Sequence, residues 1–269
     1  MIDSKASPGI ISVWSVSLLF CIVIVAQIVL IVSLGLDDHA SLLVNDFFLP
    51  GESLLAMVAV WYGARRTSFR DRKLARAWYV ITLAALCWFL GELSWTVIEV
   101  GLKQSPFPSV ADVFYLLYYP LLIIGIVLIP RTPLKEVNKG EYLMLSGLLI
   151  GTVTFFFSFL LILPLFEIEY TSLPIFIFSV LYPIFDLILL DTMLALFLLM
   201  LKKQPSAPIW CLMISILLMT VTDSVFGIQE IKEIYTGGNL LDIGWSLGVA
   251  FMGLAGIFQG RDTVIAAER

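Results

Sequence analysis

The sequence predicts an all-α, polytopic membrane protein with eight transmembrane helices. Of the 269 residues, 60% are apolar and only 14% are charged, and the mean hydropathy is +0.99. A soluble domain carries roughly 25% charged residues, so most of this chain is suited to lipid. The apolar residues fall into eight runs that approach or exceed the ~20 residues a helix needs to cross a bilayer. The connections are short, so the whole chain, 1–269, is expected to form a single membrane domain.

The runs predict helices in chain order over residues 9–36, 47–64, 77–101, 108–130, 142–166, 173–201, 207–229 and 240–260. The first run is too long in its apolar part for a signal peptide, so we expect it to be retained as a helix. Before the fourth run, Ser109 is a candidate N-cap with Asp112 at the third helical position. Asn239 is a similar candidate before the eighth run.

Basic residues predict the orientation. If the N-terminus is inside, 14 of the 16 lysines and arginines fall in inner segments, and only Lys103 and Lys232 fall outside. The positive-inside rule therefore favours an even number of spans in the cell membrane, with cytoplasmic N- and C-termini. The basic loop 65–76 is first of all a topology determinant, and it is also a candidate site for anionic lipid or a cytoplasmic signalling partner.

The chain also predicts an internal repeat of two parallel four-helix halves, 9–131 and 142–261. A shift of 131 residues pairs Glu92 with Asp223, Trp95 with Phe226 and Glu99 with Glu230. A shift of 130 pairs Asp112 with Asp242 and Tyr115 with Trp245, so a single one-residue gap reconciles the halves. Four spans return the chain to its starting side, which makes the two halves parallel.

Acidic residues are the main functional signal. Nine carboxylic acids lie within or at the outer rim of the apolar runs, with no lysine or arginine among them: Glu52, Glu92, Glu99, Asp112, Asp186, Asp191, Asp223, Glu230 and Asp242. A charge in hydrocarbon must be neutralised, paired or hydrated. Without basic partners, these acids require protonation, a captured cation or a wet cavity.

Helical spacing places acids and aromatic rings on shared faces, because residues at i, i+3 or i+4, and i+7 lie on one side of a helix. In the third run this face consists of Trp88, Glu92, Trp95 and Glu99. We therefore predict an outward-facing, acidic, aromatic-lined cavity for a proton, a cation, an organic amine or a small amphipathic ligand. Its candidate binding residues are Glu92, Trp95, Glu99, Asp112, Tyr115, Tyr119, Asp186, Asp223, Glu230, Asp242 and Trp245. Two simpler interpretations stay open: solvated or capping acids at the headgroup level, and deeper neutral acids hydrogen-bonded to a neighbour.

Several kinds of site are excluded by composition, and no cofactor is predicted. A zinc site needs several His or Cys ligands, whereas the chain has one histidine, His39. No lysine lies at mid-membrane to form a retinal Schiff base. The segment Gly244–Gly248 has the form G-x-S-x-G, but a nucleophile elbow requires a strand before a helix. A small-residue packing face is the better interpretation of these glycines, and no catalytic residue is predicted.

The third and fourth runs resemble a known family. WFLGELSWTVIE followed by PFPSVADVFYLLYYPLLIIGI is similar to the membrane-spanning input region of bacterial and archaeal signalling proteins, whose output is a cyclic-di-GMP synthase or hydrolase domain or a histidine kinase. The match covers about residues 86–126. Carried over by it are Glu92, Asp112, Tyr115, Tyr119 and Pro120. The resemblance implies sensing without naming a ligand, and the sequence given ends at Arg269 without an output domain.

Three functions compete at this point. A sensory or ligand-binding module is the first interpretation, with a homo-oligomer compatible with it. A small cation- or proton-coupled secondary transporter is the alternative, because paired repeats and midplane acids also suit transport. An intramembrane lipid-modifying enzyme is disfavoured, since no nucleophile–base pair is recognisable.

Overall fold

The computed structural model describes residues 12–34, 38–129, 138–156, 173–200, 205–232 and 234–268. Within these ranges the regular structure is helical, apart from turns. The helices are α1 (Val13–Leu34), α2 (Asp38–Ser68), α3 (Arg72–Thr96), α4 (Val110–Leu128), α5 (Lys139–Phe156), α6 (Leu173–Met200), α7 (Ala207–Ile231) and α8 (Asp242–Glu268). A π-helical turn, Val97–Gly101, continues α3.

Among the described residues, seven helical stretches are long and apolar enough to cross a membrane, which makes this a multi-pass membrane protein. They are Val13–Ser33, His39–Ser68, Arg72–Gly101, Val110–Leu128, Leu181–Met200, Ala207–Glu230 and Asp242–Thr263. The predicted span 142–166 is represented by α5, which is not among the seven, and residues 157–166 lie outside the described ranges. The eighth span therefore stays a prediction.

The predicted starts of two helices were wrong by five residues or more. α2 begins at Asp38 rather than 47, so the polar residues Asn45 and Asp46 lie inside it. α3 begins at Arg72 rather than 77, because the Asp71 carboxyl caps it by accepting hydrogen bonds from the Lys73 and Leu74 amides at 2.9 and 3.0 Å. At the starts of both helices, the sequence suggests a polar connection, but the structure uses these polar side chains to cap the helix or to make buried contacts.

The bundle is centred on α2, which packs along both α3 and α8. α4 packs on α3, α7 packs between α6 and α8, and α1 packs on α2 and α8. Glycine lets α2 and α8 touch through their backbones, since a Cβ added to Gly63 would lie 2.2 Å from the Gly256 carbonyl oxygen. Such small-residue contacts are typical of helix pairs in membranes.

The arginine-rich connection and the acidic connections lie at opposite ends of the bundle. At the basic end, the Thr67 and Thr263 hydroxyls lie 3.2 Å apart and the Arg70 guanidinium donates to the Thr263 carbonyl. At the other end, Asp112 lies in the first turn of α4 and Asp242 is the first residue of α8. This arrangement brings the acids of several helices to one end, where the candidate site lies.

Candidate functional site

A narrow cavity of about 50 Å³ lies between α2, α3, α4, α6, α7 and α8. We call it the acid chamber. Four of its lining residues are carboxylic acids and eight are aromatic, and none is lysine, arginine or histidine. The lining consists of Asn45, Asp46, Leu49, Trp88, Glu92, Trp95, Phe107, Asp112, Tyr115, Tyr182, Asp223, Phe226, Tyr235 and Trp245. A volume of this size holds a few water molecules or a small charged group.

A second, wider cavity of about 640 Å³ adjoins the chamber at the acidic end of the bundle. We call it the vestibule, and its lining includes Glu99 and Glu230 together with Lys103 and His39. Three aromatic residues line both cavities and separate them: Trp95, Phe107 and Tyr235. We call these three residues the aromatic constriction. Their rings surround Phe226, with ring centroids 4.8 to 6.2 Å from it.

The acids and rings of α3 reach the chamber because they share one helical face. Trp88, Glu92 and Trp95 follow each other at spacings of four and three residues, and all three line the cavity, as the sequence predicted. Gly91 admits the facing helix, since a Cβ there would lie 2.5 Å from the Tyr115 ring. Tyr115 in turn lies close to the Glu92 carboxyl and packs on Trp88, with the ring centroids 5.0 Å apart.

Asp112 belongs both to a helix cap and to the chamber. Its carboxyl accepts a hydrogen bond from the Ser109 amide at 2.6 Å, and the Ser109 hydroxyl accepts one from the Ala111 amide at 3.1 Å. The predicted capping box is therefore confirmed. The other carboxyl oxygen accepts a hydrogen bond from the Tyr182 hydroxyl of α6. The cap fixes Asp112 rigidly, while its second oxygen ties α4 to α6.

Asp223 is held by two donors from two helices. The indole nitrogen of Trp245 donates to one carboxyl oxygen at 2.7 Å, and the Tyr119 hydroxyl donates to the other at 3.0 Å. Both donors come from predicted site residues. Because each oxygen of this buried carboxyl has a partner, Asp223 is locked against α4 and α8.

Asp242 does not line the chamber but positions two residues that do. Its carboxyl accepts hydrogen bonds from the Asn45 amide at 2.8 Å, the Tyr235 hydroxyl at 2.9 Å and the Gly238 backbone at 2.8 Å. Gln27 of α1 extends the network by donating to Asn45 at 2.8 Å. Burial and the neighbouring Asp242 raise the pKa of Tyr235 well above its usual value, so its hydroxyl remains a donor.

The structure divides the eleven predicted site residues by depth. Six line the chamber: Glu92, Trp95, Asp112, Tyr115, Asp223 and Trp245. Glu99 and Glu230 line the vestibule instead, and Glu99 accepts a hydrogen bond from the Trp95 indole at 2.6 Å. Tyr119 and Asp242 act through hydrogen bonds to chamber residues. Asp186 lies beyond Asp223, deeper in the bundle.

Sequence reasoning missed Asn45, Asp46, Tyr182 and Gln27. Asn45 and Asp46 immediately precede the predicted second run, where polar residues indicate a connection. Tyr182 had a usable signal, because it precedes Pro183 as Leu49 precedes Pro50, and both of these residues line the chamber. Extending the predicted repeat to the residues before the two prolines would have identified it.

The described residues contain no group of three or more His, Cys, Asp or Glu side chains that could hold a metal ion. The G-x-S-x-G segment lies within α8, where the Ser246 hydroxyl donates to the Gln27 side chain at 2.9 Å. Gly244 and Gly248 face α7, since added Cβ atoms would lie 2.1 Å from Thr222 and 2.9 Å from Met219. The motif thus packs helices together, as expected.

Comparison with known proteins identifies no relative: no family model, no curated protein and no solved structure matches the chain.

Proposed function

We propose that this protein is a sensory module of the cell membrane whose acid chamber binds the ammonium group of a small ligand from the outer side. The observation that carries this proposal is the chamber lining of four carboxylic acids and eight aromatic rings, with no basic side chain. Carboxyls in a membrane interior must be neutralised, paired or hydrated. An ammonium group supplies the missing positive charge, and aromatic faces add cation–π attraction.

The dimensions of the two cavities favour a small charged head with a larger body. The chamber, at about 50 Å³, accommodates a group of a few heavy atoms, whereas the vestibule, at about 640 Å³, accommodates the rest of a ligand. An extended ligand would pass the aromatic constriction, whose rings suit an alkyl segment. A bare proton or inorganic cation would satisfy the chamber's charge but would make no use of the vestibule.

The proposal includes the finer topology: eight spans in two parallel halves, with both termini cytoplasmic. The separation of the arginines and the acids to opposite ends of the bundle supports it, because the positive-inside rule then puts the basic loop 65–76 in the cytosol. In this orientation the vestibule opens outward, and the basic loop faces anionic lipid or a cytoplasmic partner.

The pair α2 and α8 offers a route for a signal from the chamber to the basic loop. At the outer end, Asn45 of α2 donates to Asp242 of α8. At the inner end, the Gln259 amide of α8 donates to the Thr67 hydroxyl of α2 at 3.2 Å. Between these contacts the two helices touch through Gly63 and Gly256, so a shift of one helix would press directly on the other. A ligand that alters the outer contact therefore biases the position of Thr67, next to the basic loop.

A fluorescence titration tests ligand binding, because three of the seven tryptophans line the chamber. Protein in lipid nanodiscs is titrated with n-butylammonium and, as a neutral control of the same shape, butan-1-ol. We expect a saturable change with the ammonium alone, and Glu92→Gln should weaken binding by about 30-fold or more, because one partner of a buried charge pair is lost. Equal responses to the alcohol and the ammonium would refute the proposal.

Asp191→Asn provides the matched control for this titration. Asp191 is a buried carboxyl of α6 that lines neither cavity. Its loss should leave n-butylammonium binding unchanged, whereas unchanged binding by Glu92→Gln would contradict the assignment of the chamber.

Sensing is tested separately at the cytoplasmic end. Spin labels at Phe69, which is exposed, and at Asp262 of α8 report the distance between the basic loop and α8. We expect the distance distribution to shift when n-butylammonium is added and to stay fixed in Glu92→Gln. Binding without any shift would leave a binding protein but no sensor.

A secondary transporter is the second candidate, favoured by acids at the middle of two helices. Glu52 of α2 and Asp186 of α6 are fully buried, and neither carboxyl has a hydrogen-bond partner. Mid-membrane acids of this kind mark ion pathways. Ammonium-driven or proton-driven flux in sealed vesicles, lost in Asp186→Asn, would place transport ahead of sensing.

A further inference from the structure

A second polar cluster lies behind Asp223, at the middle of the bundle. Its centre is Asp186, which is 1% exposed and lies at the midpoint of α6. Tyr118 of α4 and Thr220 of α7 face the same place and are 0% exposed. Three helices therefore bring polar side chains together at a depth where burying apolar side chains would cost less free energy.

The polar atoms of this cluster are without hydrogen-bond partners. Both carboxyl oxygens of Asp186, the Tyr118 hydroxyl and the Thr220 hydroxyl are buried and make no hydrogen bond of acceptable geometry. The Thr220 and Tyr119 hydroxyls lie close to the Asp186 carboxyl without forming such a bond. A buried polar side chain is normally hydrogen-bonded, and four unpaired oxygen atoms from three helices in one place point to a ligand that binds oxygen.

The charge of the cluster selects the ligand. Asp223 is the nearest carboxyl, but its two oxygens already accept hydrogen bonds from Trp245 and Tyr119, so the carboxyl oxygens that are free to bind a ligand belong to Asp186. The surrounding segments 110–128, 181–200, 207–230 and 242–260 contain no lysine or arginine. A single free carboxylate with hydroxyl oxygens matches one positive charge, and an all-oxygen set suits hard cations.

We propose that Asp186, Tyr118 and Thr220 form a binding site for a monovalent alkali cation, distinct from the ammonium site of the chamber. Asp223 lies between the two, because it lines the chamber on one side and faces Asp186 on the other. An ion entering through the chamber therefore reaches the site past Asp223. The site goes beyond the proposed function, since it uses other residues and another class of ligand. It would serve a sensor as a structural ion and a transporter as a coupling ion.

The test compares alkali ions with one another at equal concentration, so that ionic strength stays constant. Thermal unfolding of the protein in nanodiscs is measured in lithium, sodium, potassium and caesium chloride at fixed pH, with caesium as the large-ion reference. Equilibrium binding of radioactive sodium gives the stoichiometry. We expect one bound ion per chain and a melting temperature that rises saturably with the preferred ion relative to caesium.

Variants locate the site. Asp186→Asn should remove the dependence on the alkali ion, whereas Asp191→Asn, a buried carboxyl on the same helix, should retain it. Tyr118→Phe removes only an unpaired hydroxyl and should weaken ion binding about tenfold without unfolding the protein, which keeps the test informative if Asp186→Asn does not fold. Melting temperatures that are the same in all four salts, or an ion response that survives both Asp186→Asn and Tyr118→Phe, would overturn the proposal.

The two proposals fail independently in these measurements. Glu92→Gln should weaken ammonium binding in the chamber by about 30-fold or more and leave the alkali-ion response intact. Tyr118→Phe should weaken alkali-ion binding about tenfold and leave the ammonium response intact. If both variants lost both responses, the site would not be separate from the chamber, and the inference of a second ion site would be wrong.

Discussion

The hydrogen bond from Trp245 to Asp223 gives the sharpest test of the chamber's architecture, because the chamber contains its own control. Trp245→Phe removes the indole donor that lies 2.7 Å from the carboxyl and keeps an aromatic ring against Phe226. Trp88→Phe makes the same change in the same chamber, but the Trp88 indole nitrogen is buried without a partner. The two variants lose the same volume and differ in one hydrogen bond.

The expected difference follows from the burial of the bond. An unpaired buried acceptor costs about 1–3 kcal/mol, while hydrogen bonds between membrane helices average about 0.6 kcal/mol and reach about 1.7 kcal/mol. This bond is short and its acceptor is fully enclosed, which places it in the upper part of the membrane range. We expect Trp245→Phe to lower the free energy of unfolding by about 1–2 kcal/mol more than Trp88→Phe does.

The measurement is reversible unfolding in mixed micelles, combined with a double-mutant cycle. In an Asp223→Leu background the acceptor is gone, so Trp245→Phe should cost no more than Trp88→Phe does in the wild type. The coupling energy between the two positions should then equal the difference between the single variants. Equal costs for both tryptophans, or a coupling energy near zero, would show that the bond does not hold α7 to α8.

Two further predictions concern the packing around the chamber. Gly63→Ala should lower the free energy of unfolding by about 1–3 kcal/mol, because the added Cβ meets the backbone of α8. In Gly51→Ala on the same helix, the added Cβ meets nothing within 4 Å. This variant should raise the free energy of unfolding by up to about 1 kcal/mol, because alanine has the higher helix propensity. Equal effects of the two variants on thermal unfolding in nanodiscs would contradict both predictions. Gln27→Leu should cost about 1–3 kcal/mol and weaken n-butylammonium binding, because Asn45 and Ser246 lose their shared partner, and unchanged melting and binding would refute this role.

The sequence predicted the parts of the fold and site that depend on local periodicity. Apolar run length identified all seven spans that the structure supports, and helical spacing placed Trp88, Glu92 and Trp95 on one face. The Ser109 cap was also predictable, because a capping box lies within four residues. These features share one property, which is that their partners are neighbours in the chain.

What could not be predicted depends on partners that are distant in sequence. Asn45 was assigned to a connection because its surroundings are polar, yet its amide binds Asp242, 197 residues away. Local polarity cannot distinguish an exposed turn from a helix whose polar face meets another helix. For the same reason the sequence grouped Asp186 with the chamber acids, whereas the structure puts it behind Asp223.

The repeat remains a prediction, and the tertiary contacts supply support that the spacing of the acids could not. Asp112 of α4 accepts from Tyr182 of α6, and Asp242 of α8 accepts from Asn45 of α2. If the halves correspond, α4 pairs with α8 and α6 pairs with α2, so the two bonds join matching helices, although Asn45 lies one helical turn before Leu49, the residue that matches Tyr182. In the same way, Tyr115 of α4 lies close to the Glu92 carboxyl of α3, and Trp245 of α8 hydrogen-bonds Asp223 of α7.

The halves differ where their deepest acids lie, and this difference bears on where an ion would bind. Glu52 and Asp186 are both buried at mid-helix without partners. Unpaired hydroxyls of Tyr118 and Thr220 accompany Asp186. The Ser246 hydroxyl lies near Glu52 but donates to the Gln27 side chain. We therefore expect the ion site in the second half only, so that Glu52→Gln still binds the alkali ion. Loss of ion binding in this variant would mean that both halves contribute a site.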